Sequence, residues 1–213
     1  MAAKLFTDVL AKGIRQGQVP ARTEKARDWY RKQAKLAARG SFGADDGDPI
    51  AITGRNMIKE LKTDKRARQR QIIGSMYLFQ YDPKHKDTLP YYDKFPLVFP
   101  INKAKGGFLG LNMHYLPPQL RAQMMDALYT VTTNEKYDDS TRLKISYDIL
   151  NSASKFKFFA PCVKHYLAPQ VKTSFMKVAP TEWDIALFLP LQQFIGAGKQ
   201  KVWADSRKII RGR

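Results

Sequence analysis

Apolar residues in this chain recur at helical spacing near both ends and alternate by two in the stretch from 72 to 115. At the start, Leu5, Phe6, Val9 and Leu10 share one side of a short helix over 2–12 that Gly13 would end. Proline is well placed in a first helical turn, so a second helix is predicted over 20–39, from Pro20, with Trp29, Tyr30, Ala34 and Ala37 as its apolar stripe and Gly40 as its stop. The alternation then begins. Over 72–81, Met76, Leu78 and Gln80 face one way and Tyr77, Phe79 and Tyr81 the other, before Asp82-Pro83 turns the chain. A second strand is predicted over 95–101, where Pro96 and Pro100 mark an edge or a bulge because proline donates no ladder hydrogen bond. Gly106-Gly107 is a hairpin-type turn feeding a third strand over 108–115.

Helical spacing returns after Pro117-Pro118, with Leu120, Met124, Ala127, Leu128 and Val131 on one face. A further helix starts at Ser140 or Thr141 and carries Leu143, Ile145, Tyr147, Ile149 and Leu150, followed by the ring cluster Phe156, Phe158 and Phe159. The segment 161–175 reads as helical or irregular, and 176–178 and 186–189 as short strands. These elements predict an α+β fold, a small antiparallel sheet packed with helices. The chain divides into a basic helical arm (1–40), a linker and basic segment (41–70), the α+β core (71–198) and a basic tail (199–213).

Charge sharpens that division. The 213 residues carry 37 Lys/Arg and 19 Asp/Glu, a formal net charge of +18. Nearly all the excess lies in 1–40, 55–70 and 199–213, while 45–48 is acidic and 71–198 is close to neutral. Clustered cations repel one another unless an anion or solvent surrounds them, so the pattern points to a phosphate- or carboxylate-rich partner. On the 20–39 helix, Arg22, Lys25, Arg31, Lys32, Lys35 and Arg39 crowd the side away from the apolar stripe. That side either meets an anion or is simply solvated. The 55–70 stretch has few apolar residues besides Met57, Ile58 and Leu61, so it is expected to be an arm whose structure depends on what it touches. The candidate contacts are Arg55, Lys59, Lys62, Lys65, Arg66, Arg68 and Arg70, with Lys199, Lys201, Arg207, Lys208, Arg211 and Arg213 as a second patch. In an extended chain Arg66, Arg68 and Arg70 would project together; in a helix Lys62, Arg66 and Arg70 would align. Either strip would track phosphates without reading bases, giving affinity that falls steeply with salt.

Little else in the chain carries chemistry. The phosphate-cradling, dinucleotide, zinc-protease and nucleophile-elbow motifs are all missing. A single cysteine, Cys162, leaves no intramolecular disulfide framework and implies a reducing compartment. It stands three residues from His165, a pair that would meet on a helix, but nothing around it activates a thiol. His114 falls in a strand pattern and reads as a core or surface residue rather than a ligand. Asp82 and Asp87, Asp138-Asp139, and Glu182 with Asp184 are the carboxylates that a metal-dependent nuclease would need. Their local roles are stronger: a turn at Asp82-Pro83, helix capping at Asp138–Ser140, a capping box from Thr181 to Asp184. No cofactor, metal, membrane segment, signal peptide or small-molecule substrate is expected.

The runs DPKHKDTLPYYDKFPLVFPI (82–101) and GGFLGLNMHYLPPQLR (106–121) resemble small virion-associated structural proteins of T4-like contractile-tailed phages and cyanophages. The resemblance continues through EWDIALFLPLQQF and the basic end, covering most of 71–213. It implies a non-enzymatic structural or assembly component of a tailed-phage virion, in the tail, baseplate or neck. Such a protein is made in the host cytoplasm, and its basic arms contact other virion proteins or, without sequence specificity, DNA. The alternatives are a DNA-end-binding or metal-dependent DNA-processing protein, and a cellular nonspecific nucleic-acid-binding protein.

Overall fold

A computed structural model describes residues 5–18, 23–38, 52–132, 136–155 and 157–212, and among them it shows an α+β fold. The helices are α1 (Leu5–Arg15), α2 (Glu24–Ala38), α3 (Gly54–Thr63), α4 (Pro118–Thr132), α5 (Asp139–Lys155), α6 (Trp183–Ala186) and α7 (Lys199–Arg211). The strands are β1 (Ala67–Arg68), β2 (Met76–Leu78), β3 (Tyr92–Asp93), β4 (Leu97–Ala104), β5 (Gly107–Asn112), β6 (Val163–Leu167), β7 (Phe175–Val178) and β8 (Phe194–Ile195). Six of them form one antiparallel sheet in the order β1-β7-β2-β4-β5-β6, and β3 pairs with β8 beside it.

The alternation predicted for 72–81 is what splits the core in two. Met76 and Leu78 join Leu97, Phe99, Ile101, Leu111 and Met176 in a large apolar cluster to which all seven helices contribute. Tyr77, Phe79 and Tyr81 point to the opposite face and meet Val98, Phe108, Tyr166 and Phe175. Phe108 on β5 and Phe175 on β7 lie 5.8 Å apart between ring centroids, although two strands separate them in the sheet. Neighbouring strands are about 4.8 Å apart, so the sheet must curl to bring these rings together. The closing β-bridge from Tyr81 to Val171 holds the curl.

Pro100 marks a bulge, as expected, because the β4–β5 register shifts between it and Asn102. It does not mark an edge, since β4 lies between β2 and β5. At the turn into β5, Gly106 has a φ of 74°, and a Cβ on Gly107 would fall 1.8 Å from the Tyr166 carbonyl, so both positions need glycine. The third strand stops at Asn112, whose side chain caps a 3₁₀ turn at Met113–Tyr115. Asp138 caps α5 as predicted, its carboxylate accepting the Thr141 N–H at 2.8 Å.

Several expectations are corrected. Val163–Leu167, read as helical or irregular, is an edge strand, and 186–189 is helix end and turn rather than strand. The first helix runs past Gly13 to Arg15, and Gly13 leaves room for the Tyr30 ring of α2, since a Cβ there would fall 2.4 Å from the Tyr30 hydroxyl. The basic stretch 55–70 buries Met57, Ile58 and Leu61 in the main cluster and pairs β1 with β7, so its apolar residues suffice to dock it. Arg31, expected on an anion-facing surface, is buried: its Nε donates to Asp184 at 2.9 Å and its Nη2 to Asp126 at 2.8 Å, tying α2 to α6 and α4. Pro20, Arg22, Arg39, Gly40, the acidic stretch 45–48, Phe156 and Arg213 lie outside the described residues.

Candidate nucleic-acid interface

Helix α3 is amphipathic in a way that separates docking from charge. Thr53 caps it, the hydroxyl oxygen accepting the Asn56 N–H at 3.2 Å, and Met57, Ile58 and Leu61 face the core. Arg55, Lys59 and Lys62 follow at four- and three-residue spacing and are exposed on one side. The helix then ends in a tight reversal. Lys65 adopts a left-handed φ of 58°, and the Arg66 N–H returns to the Leu61 carbonyl at 3.0 Å. That reversal throws the chain into the edge strand β1, where Arg68 pairs with Phe175, and Arg70 follows just beyond.

Arg66 leaves the predicted strip. Its guanidinium pairs with Glu182, which is buried, and sits 3.8 Å from Asp64. Partial burial opposes its charge, but the hydrogen bond and field of Glu182 outweigh that and raise its pKa. Neither the extended nor the helical alignment proposed for the arginines is therefore realised. The strip that remains consists of Arg55, Lys59, Lys62, Lys65, Arg68 and Arg70, all exposed and none in an ion pair with a described carboxylate. Arg68 donates to the Lys65 and Ala67 carbonyls at 3.1 and 2.9 Å, which holds its guanidinium over the reversal. Cations on an edge strand also discourage further strand pairing, a purely structural use of Arg68 and Arg70.

The second patch is a helix docked on the core. Val202, Trp203 and Ser206 of α7 are buried, and the Trp203 indole N–H donates to the His114 carbonyl at 2.9 Å. Lys201 is engaged by Asp205 at 2.8 Å, and Lys199 lies 6.0 Å from the centroid of the Trp203 ring. Arg207, Lys208 and Arg211 are exposed on the second half of the helix, where cations also complement the helix dipole. Together Arg207 and Arg211 border a cavity of about 340 Å³.

The other candidates have local duties. Glu182 and Asp184 hold Arg66 and Arg31, and it is Glu182, not Thr181, that caps the turn, accepting the Ala179 N–H at 3.0 Å. Asp82 pairs with Lys86 at 3.2 Å. Cys162 is buried and burial pushes its thiol up to about 12, while His165 is exposed on β6, so the two do not form a pair on a helix. Among the described residues no group of three or more His, Cys, Asp or Glu side chains is placed to hold a metal ion. Among them, too, no helix is long and apolar enough to cross a membrane.

Sequence reasoning missed the buried polar centre that supports α7. Asp93 accepts from the Phe95 and Gln193 backbone N–H groups, the Asn112 amide and His114 Nδ1, the last at 2.7 Å. Arg121 donates to the Leu116, Leu187 and His114 carbonyls at 2.7, 2.6 and 3.2 Å. These residues are spread from 93 to 203, so no local spacing announced them.

A family model described as phage T4 terminal DNA protecting protein matches residues 30–209, which include α3, β1 and most of α7. No curated protein and no solved structure matches the chain.

Proposed function

We propose a function for this chain from the premise that it belongs to the phage T4 terminal DNA protecting protein family: it binds duplex DNA at its ends and shields them, without catalysis of its own. The match supports this DNA-end alternative over a tail, baseplate or neck role. The observation that carries it is the strip along α3, β1 and the residues beside them, six exposed cations with no ion pair to a described carboxylate, on a surface whose opposite side is anchored in the core. A rigidly mounted strip holds its charges in place before DNA arrives, so binding costs little ordering. In this reading the protein is made in the host cytoplasm and travels with the DNA in the virion, beside other virion proteins.

Contacts from six cations to phosphates give a slope of log affinity against log salt of about −5. Replacing Lys59, Lys62 and Arg68 together by Ala should flatten that slope by about half, leave the thermal unfolding midpoint unchanged, and shorten the survival of a linear duplex challenged with an exonuclease. Equal slopes for parent and variant in a salt titration of duplex binding would remove the strip from the interface. Degradation of the duplex by the purified protein with magnesium or manganese would replace shielding with processing.

A further inference from the structure

A cationic strip explains affinity for a duplex but treats its middle and its end alike. A separate feature of the surface does not. The start of α4 and the second half of α7 enclose the cavity bordered by Arg207 and Arg211, with Gln119 and Leu120 on one wall and the Phe158 ring on another. Phe158 also lines a second, larger cavity of about 620 Å³ between α4 and α5, walled by Met124, Ile145, Ile149 and Ala153. The two spaces therefore meet at one half-buried ring, which Phe159 braces edge-on at 4.9 Å. One compartment is cationic and the other apolar, with Gln123 and Asp148 giving the second a polar rim.

We propose that this divided cleft takes the last, unstacked nucleotide of a DNA terminus. The inference rests on the end-binding reading above and adds how an end is told from an interior. Arg207 and Arg211, four residues apart on one face of α7, present two planar forks to a phosphate. Phe158 lines both spaces and would stack on the base, and stacking on an aromatic ring accepts any base because every base has a π-face. A duplex end supplies an unpaired nucleotide at little cost, whereas an interior one must be flipped out of the stack. The strip would thus hold the duplex while the cleft selects its end.

The experiment compares three probes at one salt concentration: a duplex closed by hairpins at both ends, a blunt duplex, and duplexes with a two-nucleotide overhang of either polarity. The parent protein should prefer at least one overhang to the closed duplex by on the order of 5- to 100-fold. Phe158→Ala should bring that preference close to one while binding of the closed duplex persists. Arg207→Gln with Arg211→Gln alters only exposed side chains, so it tests the same cleft without threatening the fold, and it should also abolish the preference. A parent that prefers the blunt duplex to the closed one but gains nothing from either overhang, or an unchanged preference in the double arginine variant, overturns the cleft and leaves the end-binding reading intact. A parent that binds closed, blunt and overhanging probes equally counts against the end-binding reading as well as the cleft. A parent that binds none of the probes sinks the end-binding reading itself.

Discussion

Arg121 brings a charge to the centre of the molecule, where only 1% of it is exposed, without an ion pair to any described carboxylate. Burial, opposed by the fields of Cys162 and Asp93, lowers its pKa to about 10, and it remains charged at neutral pH, with three carbonyls and the Trp203 ring, 5.6 Å away, taking the place of water. His114, which shares one of those carbonyls, has the opposite character. Its Nδ1 hydrogen goes to Asp93, and its buried Nε2 has no hydrogen-bond partner among the described residues. Protonation would add a buried N–H with no acceptor beside Arg121, and burial, opposed by Asp93, lowers the His114 pKa below its ordinary 6.5. An unfolded chain takes up the proton near that ordinary value, whereas the folded one resists it. The unfolded state therefore binds more protons as pH falls through 6.5, and stability present at neutral pH is lost on acidification. Urea titrations at successive pH values from about 7 to 5 should show this decline, and His114→Gln should flatten it. Parallel slopes for the two proteins would assign the decline to other groups.

At the scale of elements, the same helix can be read as an arm or as part of the body, and the decision rests on three side chains. Leu61 is fully buried and Met57 and Ile58 nearly so, which makes α3 a docked helix despite its net positive charge. Apolar burial of this kind is worth about 1.5–3 kcal/mol per side chain, more than exposed cations lose by mutual repulsion in water. Leu61→Ala should accordingly cost about 2–4 kcal/mol of unfolding free energy, whereas Lys62→Ala, one position along, should stay within about 0.5 kcal/mol and weaken DNA binding only. Amide hydrogen exchange should find α3 protected in DNA-free protein. Rapid exchange there would restore the partner-dependent arm. The charge count of 55–70 was legible in the sequence, but the weight of its three apolar residues was not, because the cluster they join, which includes Phe95 and Leu191, is assembled from residues distant in the chain. Strand β6 was missed for a related reason: as an edge strand bearing Lys164 and His165, only Tyr166 of its residues is fully buried, so no alternation marks it.

Across the whole molecule, what local chemistry dictates was readable in advance: the faces of β2, the Gly106-Gly107 turn, the start of α4, the Asp138 cap of α5, and the location of the charge. What depends on closure was hidden, including the curl of the sheet, the Arg31 and Arg66 ion pairs and the Asp93 to Trp203 network, each joining residues far apart in sequence. The basic end of the chain tests this most directly. Its composition suits a removable tail, yet Val202 is fully buried, Ser206 bonds back to the Val202 carbonyl, and Trp203 roofs the carbonyl that Arg121 also uses. Removing a buried tryptophan alone typically costs about 3–5 kcal/mol, and domains hold only about 5–15 kcal/mol in total. A chain ended after Gly198 would lose that packing and also open Arg121 and His114 to water. It should therefore fail to unfold cooperatively in urea when followed by circular dichroism, while Lys208→Ala with Arg211→Ala in the full chain keeps the parent's midpoint and loses only affinity for DNA. A shortened chain with an unchanged midpoint would make α7 an appendage that carries charge and nothing more.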